Sequence, residues 1–181
     1  MLFGLGILAV LVLGFVVLYN SLVRLRVLVD NAWADIDVQL KRRHDLIPNL
    51  IETVKGYAAH ERSTFEAVVE ARNTAVAARG PRAQGEAERG LAAALGGLFA
   101  LAESYPQLRA TENFAELQGS LANIEEAVQS ARRYYNAVVR DFNTRIAQVP
   151  WILVAGVLGY SAREFFQIAD DAERAVPAVT F

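Results

Sequence analysis

The sequence predicts an all-α protein in which an N-terminal transmembrane helix is followed by an antiparallel bundle of about four long helices. The chain begins with an uncharged apolar run. Beyond that run, apolar residues recur at spacings of three and four, and no stretch alternates as a strand would. These patterns divide the chain into a transmembrane anchor (1–23), a long-helix bundle domain (24–176) and a C-terminal tail (177–181).

The N-terminal segment has the length and composition of one membrane crossing. No charged side chain precedes Arg24, and about 20 helical residues span a hydrocarbon core of about 30 Å. A cleavable signal peptide is the alternative, but it would need a basic start and a small-x-small cleavage site, and Tyr19–Leu22 offers none. We therefore expect a single-pass anchor in a lipid bilayer. Basic residues only after the span favour a cytoplasmic bundle, with the extracytoplasmic side as the alternative.

The first half of the bundle is expected to contain two helices, and Pro48 is a weak point in the first of them. The apolar pattern of the first continues to about Ala58 and keeps its phase across Pro48, which predicts a kink or local break in a helix rather than a loop. The second helix is expected to end near Ala78, because residues 79–81 read Arg-Gly-Pro and form a turn-like connection.

The second half of the bundle should contain a third helix over about 86–104 and a fourth from Phe114 to Val149, whose apolar seam is typical of a coiled coil. Residues 151–160 are apolar and should form a loop that plugs the end of the bundle, or else touch the membrane surface or a neighbouring subunit. Ser161, with Glu164, would cap a last short helix, ending near Ala175.

Composition excludes several kinds of chemistry. The net charge of −2 provides no field for nucleic acid, and the absence of cysteine excludes disulfides and thiolate chemistry. His44 and His60 lack the spacing of a zinc-protease helix and are expected to face solvent or to cap helices. We therefore expect no metal, no cofactor and no enzymatic activity, although Asp37, Arg43 and His44 are the residues from which a site could be built.

The basic cluster Lys41-Arg42-Arg43 allows three interpretations. It can be a solvated face with local pairs such as Asp37 to Lys41, or a surface for anionic lipid or a partner. In the third interpretation Arg43 lies on the core side of its helix and pairs across the bundle with a polar residue of the fourth helix, which would fix the helix register.

Two surfaces are candidates for contacts between subunits. The polar stripe of Arg132, Asn136 and Asn143 on the fourth helix is either solvated or a subunit contact. The third helix is apolar all round in the stretch GLAAALGGLFALA, which argues for burial on several sides or against another subunit. The contact candidates from this helix and from residues 151–160 are Leu95, Gly96, Gly97, Phe99, Trp151 and Tyr160.

The chain resembles the LemA family of bacterial membrane proteins in the motifs IDVQLKRR (36–43), DLIPNL (45–50), TVKGYA (53–58), AESYPQLRA (102–110) and ARRYYN (131–136). The resemblance implies a single-pass protein with a bundle of long helices in the bacterial inner (cytoplasmic) membrane, and no enzymatic reaction is established for the family. The family-motif and structural positions are Trp33, Asp37, Gln39, Lys41, Arg42, Arg43, Pro48, Asn49, Tyr57, Arg132, Arg133, Tyr135 and Asn136.

Together these observations predict a non-enzymatic, membrane-anchored helical scaffold that self-associates as a homo-oligomer. An adaptor that presents its helical surface to another membrane protein, such as a protease or transporter, is the first alternative. An enzyme with an unrecognised site is the second.

Overall fold

The computed structural model describes the backbone of residues 2–167, and this part of the chain folds into helices without any strand. The all-α class is therefore confirmed. The predicted tail (177–181) lies outside the described residues. The helices are α1 (Leu2–Lys55), α2 (Arg62–Ala77), α3 (Pro81–Glu103), α4 (Pro106–Arg109), α5 (Glu112–Ala147) and α6 (Trp151–Leu158).

The contacts within the chain form two compact units. Among the described residues, the first unit contains 2–38 and 129–165, and the second contains 39–128 and 166–167. Helices α1 and α5 each contribute one part to each unit.

The beginning of α1 is long and apolar enough to cross a membrane. Every side chain from residue 3 to residue 17 is exposed, and the first charged residue is Arg24. So large a contiguous apolar surface is rare on soluble monomers, and lipid is a solvent that suits it. We call residues 3–23 the candidate span.

From Leu22 onward, α1 and the second part of α5 supply most of the buried apolar side chains of the first unit. The ring of Trp33 lies 5.3 Å from that of Tyr135, an aromatic pair between the two helices. The other buried apolar residues that these two helices supply to this unit are Leu22, Val29, Ala32, Ile36, Val138, Val139 and Phe142.

Residues 151–158 form helix α6, so the predicted loop is wrong. Val154 and Ala155 are buried in a cluster with Leu22 of α1. A helix pairs the backbone polar groups of this apolar segment internally, whereas a buried loop would leave them without partners. The left-handed conformation of Gly159 (φ 66°) ends the helix.

Residues 161–167 are not helical, so the predicted cap at Ser161 does not form. The rest of that predicted helix lies outside the described residues. Asn143 of α5 donates from Nδ2 to the carbonyl of Arg163 (2.9 Å) and accepts from the amide of Arg163 (2.8 Å). Side chains that bond the backbone in this way offer it an alternative to helix formation. Asn143 therefore holds this segment, a role that the sequence did not predict for it.

Tyr135 fixes the same segment from a buried position. Its side chain is 2% exposed, and its hydroxyl donates to the carbonyl of Glu164 at 2.9 Å. Burial raises the pKa of Tyr135 to about 12, while the guanidinium of Arg163 opposes that rise. The hydroxyl therefore remains a neutral donor well above neutral pH.

The predicted seam of the fourth helix corresponds to α5 but extends too far. Phe114, Leu121, Val128, Tyr135 and Phe142 are buried, as the spacing predicts. The last predicted position, Val149, is 79% exposed because α5 ends at Ala147.

The second unit has an apolar core supplied by α1 to α5. The connection between α2 and α3 is shorter than predicted, because α3 begins at Pro81 rather than near Glu86. Proline suits the first position of a helix, where its missing N–H would have no partner anyway. Gly80 takes a left-handed φ of 83° just before it.

The buried core residues of the second unit are Ile47, Leu50, Val54, Ala58, Phe65, Val68, Ala75, Leu91, Leu95, Leu98, Ala102, Leu108, Phe114 and Leu121.

Gly85 of α3 lies where the backbone of Gln167 passes, and a Cβ atom at this position would collide with the Gln167 carbonyl. Replacing Gly by Ala in a helix normally stabilises it by about 1 kcal/mol. For Gly85→Ala we expect net destabilisation by about 1–3 kcal/mol, the usual cost of overpacking. Gly90→Ala in the same helix is the matched control, since Gly90 is exposed and an added methyl group there would have nothing within 4 Å.

Thermal unfolding of the detergent-solubilised protein measures both effects. The midpoint should fall for Gly85→Ala and should stay or rise for Gly90→Ala. Equal stabilisation by the two substitutions would show that the backbone of Gln167 does not approach α3.

Candidate functional site

Polar side chains occupy part of the interior of the second unit. Arg43 and His44 of α1 are 4% and 6% exposed, and Gln84 and Glu88 of α3 are 6% and 0% exposed. Gln84 and Glu88 are four residues apart and share the face of α3 that continues into the core residue Leu91. We call Arg43, His44, Gln84 and Glu88 the buried polar cluster.

Glu88 is the acceptor that the other three members share. Its Oε1 accepts from Nε2 of His44 at 2.8 Å and from Nε2 of Gln84 at 3.0 Å, and its Oε2 accepts from Nη1 of Arg43 at 3.0 Å. Because a carboxylate oxygen only accepts, the proton of this contact lies on Nε2 of His44. Three donors thus replace the water that burial removes from the carboxylate.

Two further contacts extend the cluster to α2 and α5. The Nη2 atom of Arg43 lies 3.2 Å from Oε2 of Glu125 on α5, a carboxylate whose side chain is 40% exposed. Gln84 also donates to the carbonyl of Ala75 in α2 at 3.0 Å. The cluster therefore joins four helices, although Nε of Arg43 is buried without a hydrogen-bond partner among the described residues.

Pro48 leaves a backbone carbonyl next to the cluster without its helical hydrogen-bond donor. The helix continues through Pro48, as the apolar phase predicted, but proline has no N–H for the carbonyl four residues earlier, which belongs to His44. Nε of Arg72, on α2, donates to that carbonyl at 2.7 Å. A side chain from another helix thus replaces the missing bond of α1.

The sequence located only part of this arrangement. Arg43 does lie on the core side and does pair with the fourth long helix, through Glu125. The prediction that His44 faces solvent or caps a helix is wrong, because it is buried against Glu88. Gln84 was missed because the third helix was expected to begin only at about Glu86. Glu88 lay within that predicted helix, three residues before Leu91, but its burial was not predicted.

The other predicted positions are mostly at the surface. Asp37 is exposed and belongs to the first unit. Trp33, Gln39, Arg132 and Asn136 are partly buried, and Tyr135 is buried. The exposed family-motif residues are Lys41, Arg42, Pro48, Asn49, Tyr57 and Arg133.

The predicted subunit-contact residues fall into two groups. Leu95 is buried in the core, and Phe99 packs against Phe114 with 6.5 Å between ring centroids, so both are used within the chain. Gly96 and Gly97 are exposed. Trp151 and Tyr160, which are partly buried, pack in the cluster around α6.

The buried polar cluster is arranged to hold helices rather than to reach a substrate. The oxygens of Glu88 are used by donors from α1 and α3, and its side chain has no exposed surface. Within residues 3–167 no group of three His, Cys, Asp or Glu side chains could hold a metal ion. A buried ion pair adds little stability beyond an apolar pair, but it penalises any helix register that separates its members.

Glu88→Ala should be strongly destabilising, because it leaves Arg43 and His44 in the interior without their acceptor. We expect a loss of about 3–5 kcal/mol in the free energy of unfolding, measured by chemical denaturation. Glu86→Ala is the matched control on the same helix, where a 59% exposed side chain pairs with Arg82 at 3.6 Å. It should change the free energy by less than about 1 kcal/mol. Similar losses for the two variants would contradict a special role of Glu88.

The role of Arg72 can be separated from simple packing by a double-mutant cycle with Pro48. Arg72→Met should cost about 1–3 kcal/mol, because the His44 carbonyl loses its donor. In the Pro48→Ala background the backbone N–H at position 48 supplies that donor, so the same substitution should cost less. Additive effects in chemical denaturation would show that Arg72 does not compensate for the proline.

Comparison with known proteins agrees with the motifs. Residues 32–181 match the sequence model of the LemA family. Magnetosome protein MamQ 2 and magnetosome protein MamQ 1 of Paramagnetospirillum magneticum are each 26% identical over 175 aligned residues, which cover 82% of this chain and 64% of the relative. Magnetosome protein MamQ of Magnetospirillum gryphiswaldense is 26% identical over 174 residues, with the same coverage. The chain thus spans less than two thirds of the length of these relatives.

The family match covers most of the chain and includes every member of the buried polar cluster. Family membership and the candidate span together support a membrane-associated helical protein. This chain belongs to the LemA family.

Proposed function

We propose that this chain is a non-enzymatic, membrane-anchored helical scaffold that self-associates in the plane of the membrane. The observation that carries the proposal is the stretch 92–100 of α3, in which the exposed residues are alanine and glycine only. Leu91, Leu95 and Leu98 point into the core of the second unit. The exposed residues of this stretch, which we call the small-residue face, are Ala92, Ala93, Gly96, Gly97 and Ala100.

Such a face suits the close approach of a second helix. Alanine and glycine have no side-chain rotamers to lose on association, and they let two backbones approach closely. An exposed glycine inside a helix lowers the stability of that helix by about 1 kcal/mol relative to alanine. Beside it, α2 and α3 border an open groove of about 870 Å³ lined mainly by alanine, including Ala71 and Ala87. An alanine-rich helix of a second copy would fit this surface.

The candidate span adds to the same proposal, because anchoring confines the copies to two dimensions and raises their effective concentration. The basic residues that follow the span favour a bundle on the cytoplasmic side of the bacterial inner membrane. The non-enzymatic assignment is supported by the buried polar cluster, whose carboxylate Glu88 is fully buried and used by other side chains.

Gly96→Glu tests the small-residue face, because a charged side chain there keeps the copies apart without entering the core. Light scattering of the full-length protein in mild detergent should give a multiple of the 19.8 kDa chain mass for the wild type. The substitution should shift the protein to the monomer mass. Gly119→Glu is the matched control, an exposed helical glycine of α5 where an added Cβ atom would likewise have nothing within 4 Å; it should leave the mass unchanged.

Three outcomes would decide against this proposal. A wild-type protein that is monomeric, both in detergent and after chemical cross-linking in native membranes, removes self-association. Equal effects of the two substitutions remove the small-residue face. A monomer that co-purifies with another membrane protein in a fixed ratio would favour the adaptor function instead.

A further inference from the structure

Helix α6 presents two apolar faces, and the residues that the structure describes cover only one of them. Val154 and Ala155 are buried against Leu22. On the other side Ile152, Leu153 and Val157 are exposed, the last two by 70% and 78%. No charged residue occurs in the helix sequence WILVAGVL. We call Ile152, Leu153 and Val157 the outer face of α6.

The residues that α6 packs against place it beside the end of the candidate span. Its buried face contacts Leu22, and Leu18 packs against the same cluster. Both leucines lie in the uncharged run of α1, just before its first charged residue, Arg24. If α1 crosses a bilayer, its residues 18–24 lie where hydrocarbon gives way to headgroups, and α6 lies beside them.

The ends of α6 carry the residue types that favour a membrane interface. Trp151 begins the helix and Tyr160 follows it, and aromatic rings of this kind are enriched at headgroup depth. The guanidinium of Arg145 lies 4.6 Å from the centre of the Trp151 ring, and that of Arg26 lies 5.5 Å from the centre of the Tyr160 ring. Arg145 and Arg26 thus place a positive charge at each end of α6, and positive charge of this kind attracts lipid phosphates.

We propose that α6 is a second membrane attachment: its outer face inserts into the headgroup–acyl boundary of the leaflet from which α1 emerges. A single transmembrane helix is free to turn about its own axis. Because α6 is packed on one side of α1, its insertion fixes which side of α1 faces lipid at the surface and limits the tilt of the helix. The proposal rests on the anchoring in the proposed function and is independent of self-association.

The test uses the full-length protein in vesicles of phosphatidylcholine and phosphatidylglycerol. The chain contains no cysteine, so Leu153→Cys gives one site for the environment-sensitive fluorophore NBD. Val76→Cys on α2 is the matched control, an exposed apolar residue of another helix. Val10→Cys reports on the candidate span itself.

Lipids with a quencher at a shallow carbon should quench the probe at position 153 at least about twofold more than the probe at position 76, as expected for an interfacial helix. Val157→Glu, which adds a charge to the outer face, should remove most of that difference, while Val76→Glu should not alter the signal at position 153. Circular dichroism should show that these variants keep their helices.

Equal quenching at positions 153 and 76, with position 10 quenched by deep labels, would overturn the proposal and leave the anchor intact. An unquenched probe at position 10 would overturn the anchor as well. Efficient cross-linking of Cys-substituted position 153 between two chains, without lipid quenching there, would assign the outer face to a second copy and also overturn the proposal.

Discussion

A carboxylate removed from water needs donors, and the second unit is arranged around this requirement at Glu88. Burial of an unpaired charge would cost several kcal/mol, so every helix that meets Glu88 must bring its donor to the right place. Arg43 and His44 do so from α1, and Gln84 does so from one turn earlier in α3. Apolar packing tolerates small shifts between helices, whereas these hydrogen bonds do not, because a slip of one turn moves a donor about 5.4 Å along the axis. The cluster thus selects one register among the several that the apolar seams would allow.

At Pro48 a donor from another helix likewise supplies a hydrogen bond that α1, the longest helix described, cannot make itself. Proline four residues after His44 leaves a carbonyl without its helical donor, and such a carbonyl inside the unit would favour a break in α1. Arg72 supplies the donor from α2. Its guanidinium reaches the backbone of the same residue whose side chain bonds Glu88, so His44 is held through its ring and through its carbonyl. The helix therefore continues through the proline to Lys55, and α2 is tied to it at the point where α1 is weakest.

The sequence predicted what depends on periodicity and missed what depends on helix ends. The spacing placed Phe114, Leu121 and Phe142 correctly, and it placed Arg43 on the core side because that residue lies three after Leu40 in the apolar pattern. His44 lies four after Leu40, so it shares the stripe, yet a polar residue beside an arginine was assigned to solvent. Gln84 became recognisable only once α3 was known to begin at Pro81, whereas Glu88 was missed although it lies on the apolar stripe three residues before Leu91. Short-range signals could not show that side chains of α5 bind the backbone of residues 163 and 164, since those contacts join residues far apart in the sequence.

The two surfaces for which we propose partners differ in chemistry, and this difference is why we propose a different partner for each. The small-residue face of α3 offers little apolar area per residue, so it gains little from lipid, but it allows the backbone of another helix to come near. The outer face of α6 offers the opposite, because Leu153 and Val157 expose large aliphatic side chains that remain costly in water. Lipid chains accommodate such side chains without a complementary shape. The position of α6 against Leu18 and Leu22 brings them to the end of the candidate span, where the proposed membrane anchoring would make lipid available. Side-chain size thus distinguishes the surface that we propose for protein from the surface that we propose for membrane.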